Sequence, residues 1–240
     1  MRFAIFGDIH ANLESFQTVL ADAREQGCTD FICLGDVVGY NANPRECLEL
    51  VRSLTCPVVQ GNHDSYVSFD HELENVSPLA ELAIQWTRDQ LSPEEKRWLA
   101  TLPLVIEIEG FTIVHATLDV PGSWNYVLNQ LDAAANFEKQ TTDLCFFGHT
   151  HLPRAYIKNS SIIGLPFEKI VIEPGNRYFI NVGSVGQPRD GDWRASYGVF
   201  DTKAGSILLR RLRYDLESTQ NKILQAGLPP RLAERLSFGK

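Results

Sequence analysis

The first 60 residues contain three short apolar runs, and each run ends at a glycine that is followed by aspartate or asparagine. The runs have the length of buried strands and cover residues 2–6, 31–34 and 57–60. Between them, apolar side chains recur at helical spacing, with Asn12 placed to cap the first helix and Pro44 placed to open the second. Alternation of strand and helix in this order predicts a parallel α/β arrangement.

The rest of the chain predicts a helical segment followed by a β-rich half. Residues 78–100 have helical periodicity, with Pro78 and Pro93 in first-turn positions. Further helices are expected near 128–139, 215–225 and 230–236. Strands are expected at 104–108, 111–114, 144–147, 154–158, 168–173, 177–182, 196–201 and 206–213, the first two joined by a hairpin at Glu109-Gly110. The pattern favours two sheets packed face to face with helices outside, in a single domain over residues 1–240.

Charge, hydropathy and cysteine usage exclude several classes of protein. The formal net charge of -8 argues against a general binder of extended DNA or RNA, which needs a basic face. No apolar run reaches the roughly 18 residues of a transmembrane helix, and residues 2–6 are too short for the core of a signal peptide, so no membrane association is expected. The five cysteines contain no C-x-x-C pair and are expected to be reduced and mostly buried. A cytoplasmic protein is the default expectation.

Five polar clusters follow predicted strands, and their side chains are of types that bind metals. The candidate ligands are Asp8, His10, Asp36, Asn62, His115, His149 and His151. Carboxylate, imidazole and amide together suit Mn, Fe, Zn or Co better than Mg or Ca, which prefer oxygen ligands. Seven ligands exceed what one octahedral ion with its water needs. We therefore expect two ions that share a carboxylate, at the edge of the sheet where strand ends converge.

Two local features give this set a geometric basis. In an extended segment, residues i and i+2 point to the same side, so Asp8 and His10 can bind one ion, as can His149 and His151 if their loop is extended. A glycine precedes most of the clusters, and glycine lets the backbone approach ions and phosphate closely. These glycines are Gly7, Gly35, Gly61 and Gly148.

The ordered motifs D-x-H, G-D, G-N-H-D, H and G-H-x-H resemble those of the calcineurin-like metallophosphoesterase superfamily, and residues 181–189 resemble a segment of its small bacterial members. The resemblance implies a four-layer α-β-β-α sandwich of two mixed sheets. It also implies two divalent or mixed-valence transition metal ions, of Mn, Fe, Zn, Co or Ni. One ion would be bound by Asp8, His10 and His151, the other by Asn62, His115 and His149, with Asp36 bridging them.

The implied activity is that of a metal-dependent phosphoesterase, with His63 as a catalytic group that is not a ligand. A hydroxide bridging the two ions would attack phosphorus in line, and His63 would assist the leaving oxygen. The expected substrate is a phosphodiester or a small nucleotide. A phosphomonoesterase or protein phosphatase of the same superfamily is the alternative, and a non-catalytic scaffold with this fold is a third reading. Small members of the superfamily often form homo-oligomers.

The second motif departs from the pattern of the superfamily's protein phosphatases. Gly39 stands where an aspartate would orient the catalytic histidine, and Tyr40 stands where an arginine would bind phosphate. Loss of that arginine favours a diester over a dianionic monoester. The candidates for substrate binding are Tyr40, Arg154 and Arg189. Tyr40, Trp124 and Trp193 could line a base-stacking pocket or simply pack in the protein, Asp64 is not assigned to orient His63, and His71 is expected on the surface.

Overall fold

The computed structural model describes residues 1–69, 73, 76–108 and 110–240. The strands are β1 (Arg2–Phe6), β2 (Asp30–Cys33), β3 (Val105–Ile108), β4 (Phe111–Val114), β5 (Leu144–Phe147), β6 (Arg154–Lys158), β7 (Ile162–Leu165), β8 (Lys169–Val171), β9 (Arg177–Asn181), β10 (Ala195–Asp201) and β11 (Ser206–Leu212). The helices are α1 (Leu13–Glu25), α2 (Pro44–Leu54), α3 (Asn62–Ser68), α4 (Pro78–Gln90), α5 (Pro93–Ala100), α6 (Gln130–Lys139), α7 (Leu216–Gln225) and α8 (Pro230–Leu236), with a 3₁₀ turn at Pro121–Ser123. His71 and Glu109 lie outside the described residues.

The strands form two mixed sheets, as predicted. The first has the order β2-β1-β10-β11-β8, in which β1 pairs parallel with β2 and antiparallel with β10. The second has the order β3-β4-β5-β9-β6-β7, in which β5 runs parallel to both β4 and β9. The parallel strands are β1 and β2 at one side of the first sheet and β4, β5 and β9 inside the second, and the loops that follow parallel strands leave from the same edge of a sheet.

Alternation of side chains along the strands builds the four layers. On β1, Phe3 and Ile5 pack between the sheets, whereas Ala4 and Phe6 pack against the helices on the outer face. Aromatic rings fill the space between the sheets, and Phe111 makes an edge-to-face contact with Phe200 at 5.7 Å. Helices α1 and α2 cover the first sheet and α6 covers the second, which confirms the α-β-β-α sandwich.

Local signals set several element boundaries where the sequence predicted them. The Asn12 side chain caps α1 by accepting a hydrogen bond from the Ser15 amide. Pro78 and Pro93 each open a helix whose preceding serine is the cap. All five cysteines are free and four of them are buried, as expected. No helix among the described residues is long and apolar enough to cross a membrane.

One local prediction is wrong, and two elements were not predicted. Residues 57–60 do not form a full strand, because Pro57 has no amide hydrogen and the chain leaves the sheet after one bridge between Cys33 and Val58. The Gln60 amide then binds the Pro103 carbonyl instead of a neighbouring strand. Strand β7 and helix α3 were not expected. The first contains Gly164, which weakens a strand pattern, and the second begins inside the G-N-H-D motif, at Asn62.

Candidate metal centre and adjoining cavity

The predicted site residues come together at the carboxyl ends of the parallel strands. Asp8 and Asp36 follow β1 and β2, His115 follows β4, and the histidines of the G-H-x-H motif follow β5. Asn62 and His63 begin α3, which starts where the third apolar run ends. All eight side chains are buried, and Asn62, at 9% exposure, is the most accessible. Eight polar groups are therefore enclosed together, with little water to solvate them.

The possible ligand atoms fall into two groups, in each of which they lie within 4.8 Å of one another. The first group contains Asp8, His10, Asp36 and His151, and the second contains Asp36, His115 and His149. Asn62 belongs beside the second group, because its Oδ1 lies 3.2 Å from Nε2 of His115 and 2.9 Å from Nδ1 of His149. Asp36 is the residue that both groups share. This grouping is the one that the family resemblance implied.

Backbone carbonyls determine which ring nitrogen of three histidines carries the proton. The Nδ1 atoms of His10, His115 and His151 lie 3.1, 2.7 and 2.5 Å from the carbonyl oxygens of Val38, Leu34 and Gln187. Since a carbonyl oxygen only accepts, each Nδ1 donates its hydrogen, and in a neutral ring the Nε2 atom then keeps a lone pair. This arrangement is the usual way in which proteins orient a metal-binding histidine.

In His10 and His151 the Nε2 lone pair faces another acceptor. Nε2 of His10 and Nε2 of His151 are only 3.0 Å apart. Oδ2 of Asp36 lies 3.5 Å from Nε2 of His10 and 3.4 Å from Nε2 of His115, and Oδ1 of Asp8 lies 3.4 Å from Nε2 of His151. The facing lone pairs of His10 and His151 repel each other, and a cation between them removes that repulsion. The side chains present therefore fit bound metal ions.

Burial and mutual charge shift the pKa values of these groups. Burial lowers the pKa of His10 and His151 well below the usual range, so both rings are neutral and able to act as ligands. Burial also raises the pKa of Asp8 to about 7. For Asp36 burial would raise the pKa, but His115 and His10 outweigh it and hold that pKa well below the usual range. Burial would lower the pKa of His115, but Asp36 raises it to about 9.

The loops that carry the site are not extended, so the geometric reason given for the D-x-H and H-x-H spacings is wrong. Asp8, His10, Asp36, His149 and His151 all have positive φ angles, between 47° and 66°. The backbone bends because the loop after β1 runs along the loop after β2, with the Asp8 and His10 amides bonded to the Gly35 and Asp36 carbonyls. His149 and His151 consequently point into different groups. Clustered left-handed residues of this kind are typical of functional sites.

Glycine allows the close approach that the sequence predicted. A Cβ atom added to Gly61 would lie 2.1 Å from Oδ1 of Asp36, and one added to Gly148 would lie 2.9 Å from Oδ2 of Asp8. Any larger residue at these positions would displace a carboxylate of the site.

His63 is held in place without a carboxylate partner. Its Nδ1 is buried without a hydrogen-bond partner among the described residues, and its amide donates to Oδ1 of Asp36 at 2.8 Å. The ring packs against those of Tyr40 and His10, with centroids 4.4 and 4.9 Å away. Burial lowers the pKa of His63 to about 4, so the ring is neutral at pH 7.

Asp64 does not face His63, in agreement with the sequence analysis. It is fully buried and accepts hydrogen bonds from the amides of Val37, Val38 and Gly61. These bonds join the loop after β2 to the start of α3. Asp64 thereby fixes the position of Asp36 relative to Asn62 and His63.

The three candidates for substrate binding differ in their surroundings. The guanidinium of Arg189 lies 5.8 Å from the centroid of the Tyr40 ring, and its charge opposes part of the rise in the pKa of Asp8 that burial causes. Arg235, from α8, lies 6.0 Å from the same ring centroid. Arg154 instead donates to the Gly164 carbonyl. Tyr40 and Arg189 therefore border the site, whereas none of the described contacts of Arg154 is with a site residue.

A cavity of about 410 Å³ opens beside His63, and four aromatic side chains line it. Tyr40 and Trp124 are two of the three aromatic residues that the sequence singled out, whereas Trp193 packs against Tyr214 elsewhere. Tyr66 and Tyr126 were missed. Tyr66 lies on the unexpected helix α3, and Tyr126 lies in an irregular loop, so neither had a periodic signal. A larger cavity of about 630 Å³, lined in part by Met1 and Phe31, contains none of the candidate site residues.

Comparison with known proteins places this arrangement in a family. Residues 1–205 match the model of the calcineurin-like phosphoesterase superfamily domain. The chain is 40% identical over 242 residues to the uncharacterized protein MJ0912 of Methanocaldococcus jannaschii, covering 99% of this chain and 98% of that protein.

Solved structures show the same likeness. A metallophosphoesterase from Sphaerobacter thermophilus superposes with a TM-score of 0.88 at 40% identity, over 100% of this chain and 99% of that one. The hypothetical protein PH1004 from Pyrococcus horikoshii OT3 superposes with a TM-score of 0.81 at 16% identity, over 100% of this chain and 98% of that one, which is a likeness of fold alone.

Proposed function

This chain belongs to the calcineurin-like phosphoesterase superfamily, and we propose that it is a metal-dependent hydrolase of a phosphodiester or a small nucleotide. The observation that carries this proposal is the pair of buried groups of possible ligand atoms that share Asp36. Facing lone pairs at 3.0 Å, as between His10 and His151, are unfavourable in a protein core unless a cation lies between them.

Two metal ions are the cofactor that we propose for this site. Asp8, His10 and His151 would hold one, Asn62, His115 and His149 would hold the other, and Asp36 would contact both. Mixed nitrogen and oxygen ligands favour Mn, Fe, Zn, Co or Ni over Mg or Ca. When bound, such ions would lower the pKa of a coordinated water to about 7 and would neutralise negative charge on the phosphoryl oxygens.

The protein's own groups would orient the ester. His63 lines the cavity beside Asn62 and, as a neutral ring, can form a hydrogen bond with an ester oxygen. The positive charge of Arg189 beside Tyr40 would attract the phosphoryl group towards the site. Tyr40 stands where protein phosphatases of the superfamily carry an arginine, and a diester carries one negative charge fewer than a monoester dianion. These features support the preference for a diester.

The test compares two chromogenic substrates under matched conditions. Protein loaded with Mn²⁺ is assayed on bis(p-nitrophenyl) phosphate and on p-nitrophenyl phosphate, before and after EDTA treatment. We expect faster turnover of the diester, its loss after EDTA treatment, and its recovery when Mn²⁺ is restored. Preference for the monoester would instead assign a phosphomonoesterase. Absence of turnover on both substrates, with metal bound, would contradict the proposed function.

A further inference from the structure

Two aromatic walls border the cavity beside the candidate metal centre. Tyr40 and Tyr66 form one wall around His63, with ring centroids 4.4 and 6.4 Å from that of the imidazole. Trp124 and Tyr126 form the other, Trp124 6.0 Å from the His115 ring and Tyr126 stacked on His149 at 4.2 Å. The rings that surround the cavity thus pack against histidines that would bind metal or contact the substrate.

The described residues that line the cavity carry no formal charge. Among the described residues that line it there is no lysine, arginine, aspartate or glutamate, and serine and tyrosine hydroxyls accompany the aromatic rings. A phosphoryl group would be drawn to the metal centre and to Arg189, which leaves the cavity for a neutral part of the substrate. Its volume of about 410 Å³ lies within the usual range of about 300–1,000 Å³ for sites of small molecules.

The exposed ring of Tyr126 indicates the shape of the neutral part of the substrate. One face of its ring lies against His149 at an interplanar angle of 25°, yet 50% of the residue is exposed. Trp124 has a left-handed backbone conformation with φ of 56°, which is unusual for a bulky residue. The backbone therefore bends at this wall of the cavity. Exposed aromatic faces beside a phosphate site favour a flat ring, because nucleobases stack on such faces.

We propose that the cavity binds the base of a nucleoside phosphoester, whose phosphoryl group lies at the metal centre. This inference rests on the proposed function for the identity of the bound phosphate. It assigns the stacking surface to Tyr126 and Trp124, with Tyr66 on the opposite wall. A substrate with only an aliphatic ester group would leave these rings in contact with water.

Equilibrium binding tests the inference without requiring turnover. The dissociation constants of AMP and ribose 5-phosphate for the Mn²⁺-loaded protein are measured by calorimetry, since the two ligands differ only in the base. We expect AMP to bind at least about tenfold more tightly, because base stacking changes affinity by about 5- to 150-fold. In Tyr126→Leu the preference should fall by about fivefold or more, whereas Tyr126→Phe, which retains a ring, should keep it.

A matched control removes another exposed aromatic ring. Phe238 is 62% exposed and does not line this cavity, so Phe238→Leu should keep the preference for AMP. Equal binding of the two ligands to the wild type, no binding of either, or a preference that survives Tyr126→Leu would overturn the inference. If the protein hydrolyses bis(p-nitrophenyl) phosphate but binds the two ligands equally, the base site is refuted and the proposed function is not. If that turnover is absent, the proposed function is refuted. The preference for AMP over ribose 5-phosphate then still decides whether the cavity binds a base.

Discussion

Gly39 and His63 are in such close contact that a Cβ atom on residue 39 would lie 2.4 Å from Nδ1 of the imidazole. In the second motif of the superfamily's protein phosphatases, an aspartate stands at the position that Gly39 occupies here. Here the absence of a side chain lets His63 settle against the backbone, and the rings of Tyr40 and His10 hold it instead. The same imidazole is thus positioned by packing rather than by a carboxylate.

Gly39→Ala is expected to disturb both stability and activity. Gly39 has φ of +93°, so alanine there carries a backbone cost of about 1–3 kcal/mol in addition to the clash with His63. Gly175→Ala is the matched control, because Gly175 has φ of +86° with nothing within 4 Å of the added Cβ. Urea unfolding and diester turnover are measured for both variants. Equal losses in the two variants would show that the contact with His63 is unimportant.

Asp64→Ala is expected to destabilise the protein without touching a ligand. It would leave the buried amides of Val37, Val38 and Gly61 without their acceptor, at a cost of about 3–5 kcal/mol. Asp89→Ala removes an exposed carboxylate from α4 and should change the free energy of unfolding by less than about 0.5 kcal/mol. Urea unfolding measures both values, and a loss below about 1 kcal/mol in Asp64→Ala would contradict the role given to its hydrogen bonds.

Metal should stabilise the folded protein, because the facing lone pairs of His10 and His151 repel each other without it. A free Mn²⁺ concentration of 100 times the dissociation constant should raise the free energy of unfolding by about 2.7 kcal/mol. In Asp36→Asn, which removes the shared carboxylate, the stabilisation should largely disappear, and in Asp89→Asn it should remain. The free energy of unfolding of each protein is measured from urea unfolding curves with Mn²⁺ and with EDTA. A stability that does not respond to metal in the wild type would exclude these groups as a metal site.

Arg189→Met should weaken substrate binding more than it slows the reaction. Methionine retains an unbranched stem but removes the charge that lies beside Tyr40. We expect KM for the diester to rise by about tenfold, because one charge-assisted hydrogen bond contributes about 1.5–3 kcal/mol. Arg154→Met is the control, since its guanidinium donates to Gly164 instead. Steady-state kinetics of both variants provide the comparison, and equal effects in the two would remove Arg189 from the substrate site.

The fold was predictable wherever a local signal determined an element. Asn12, Pro78 and Pro93 mark helix starts because their side chains act on their own helix. Residues 57–60 could not be assigned in the same way. Whether an apolar run forms a full strand depends on the hydrogen bonds that a neighbouring strand offers, and here Pro57 and the contact of Gln60 with Pro103 end the pairing.

The residue types of the candidate site followed from the sequence pattern alone, whereas their division into two groups came only from the family resemblance. Carboxylates, imidazoles and an amide after successive strands indicate a metal site whatever the loop conformation. The separation of His149 from His151 depends on left-handed backbone at both residues, which the spacing alone does not reveal. Tyr66 and Tyr126 reach the cavity only through the tertiary fold, so no local pattern distinguished them from surface or core residues.

A titration of the metal-free protein with Mn²⁺, in which bound metal and hydrolysis of bis(p-nitrophenyl) phosphate are followed together, tests the metal-dependent reaction most directly. We predict that turnover is absent without metal and rises as two equivalents bind. Asp36→Asn should bind less metal and lose turnover, whereas His63→Ala should bind two equivalents and react about 10²–10⁴-fold more slowly. Full turnover in the metal-free protein, or in Asp36→Asn, would contradict the assignment of this buried cluster as the catalytic metal centre.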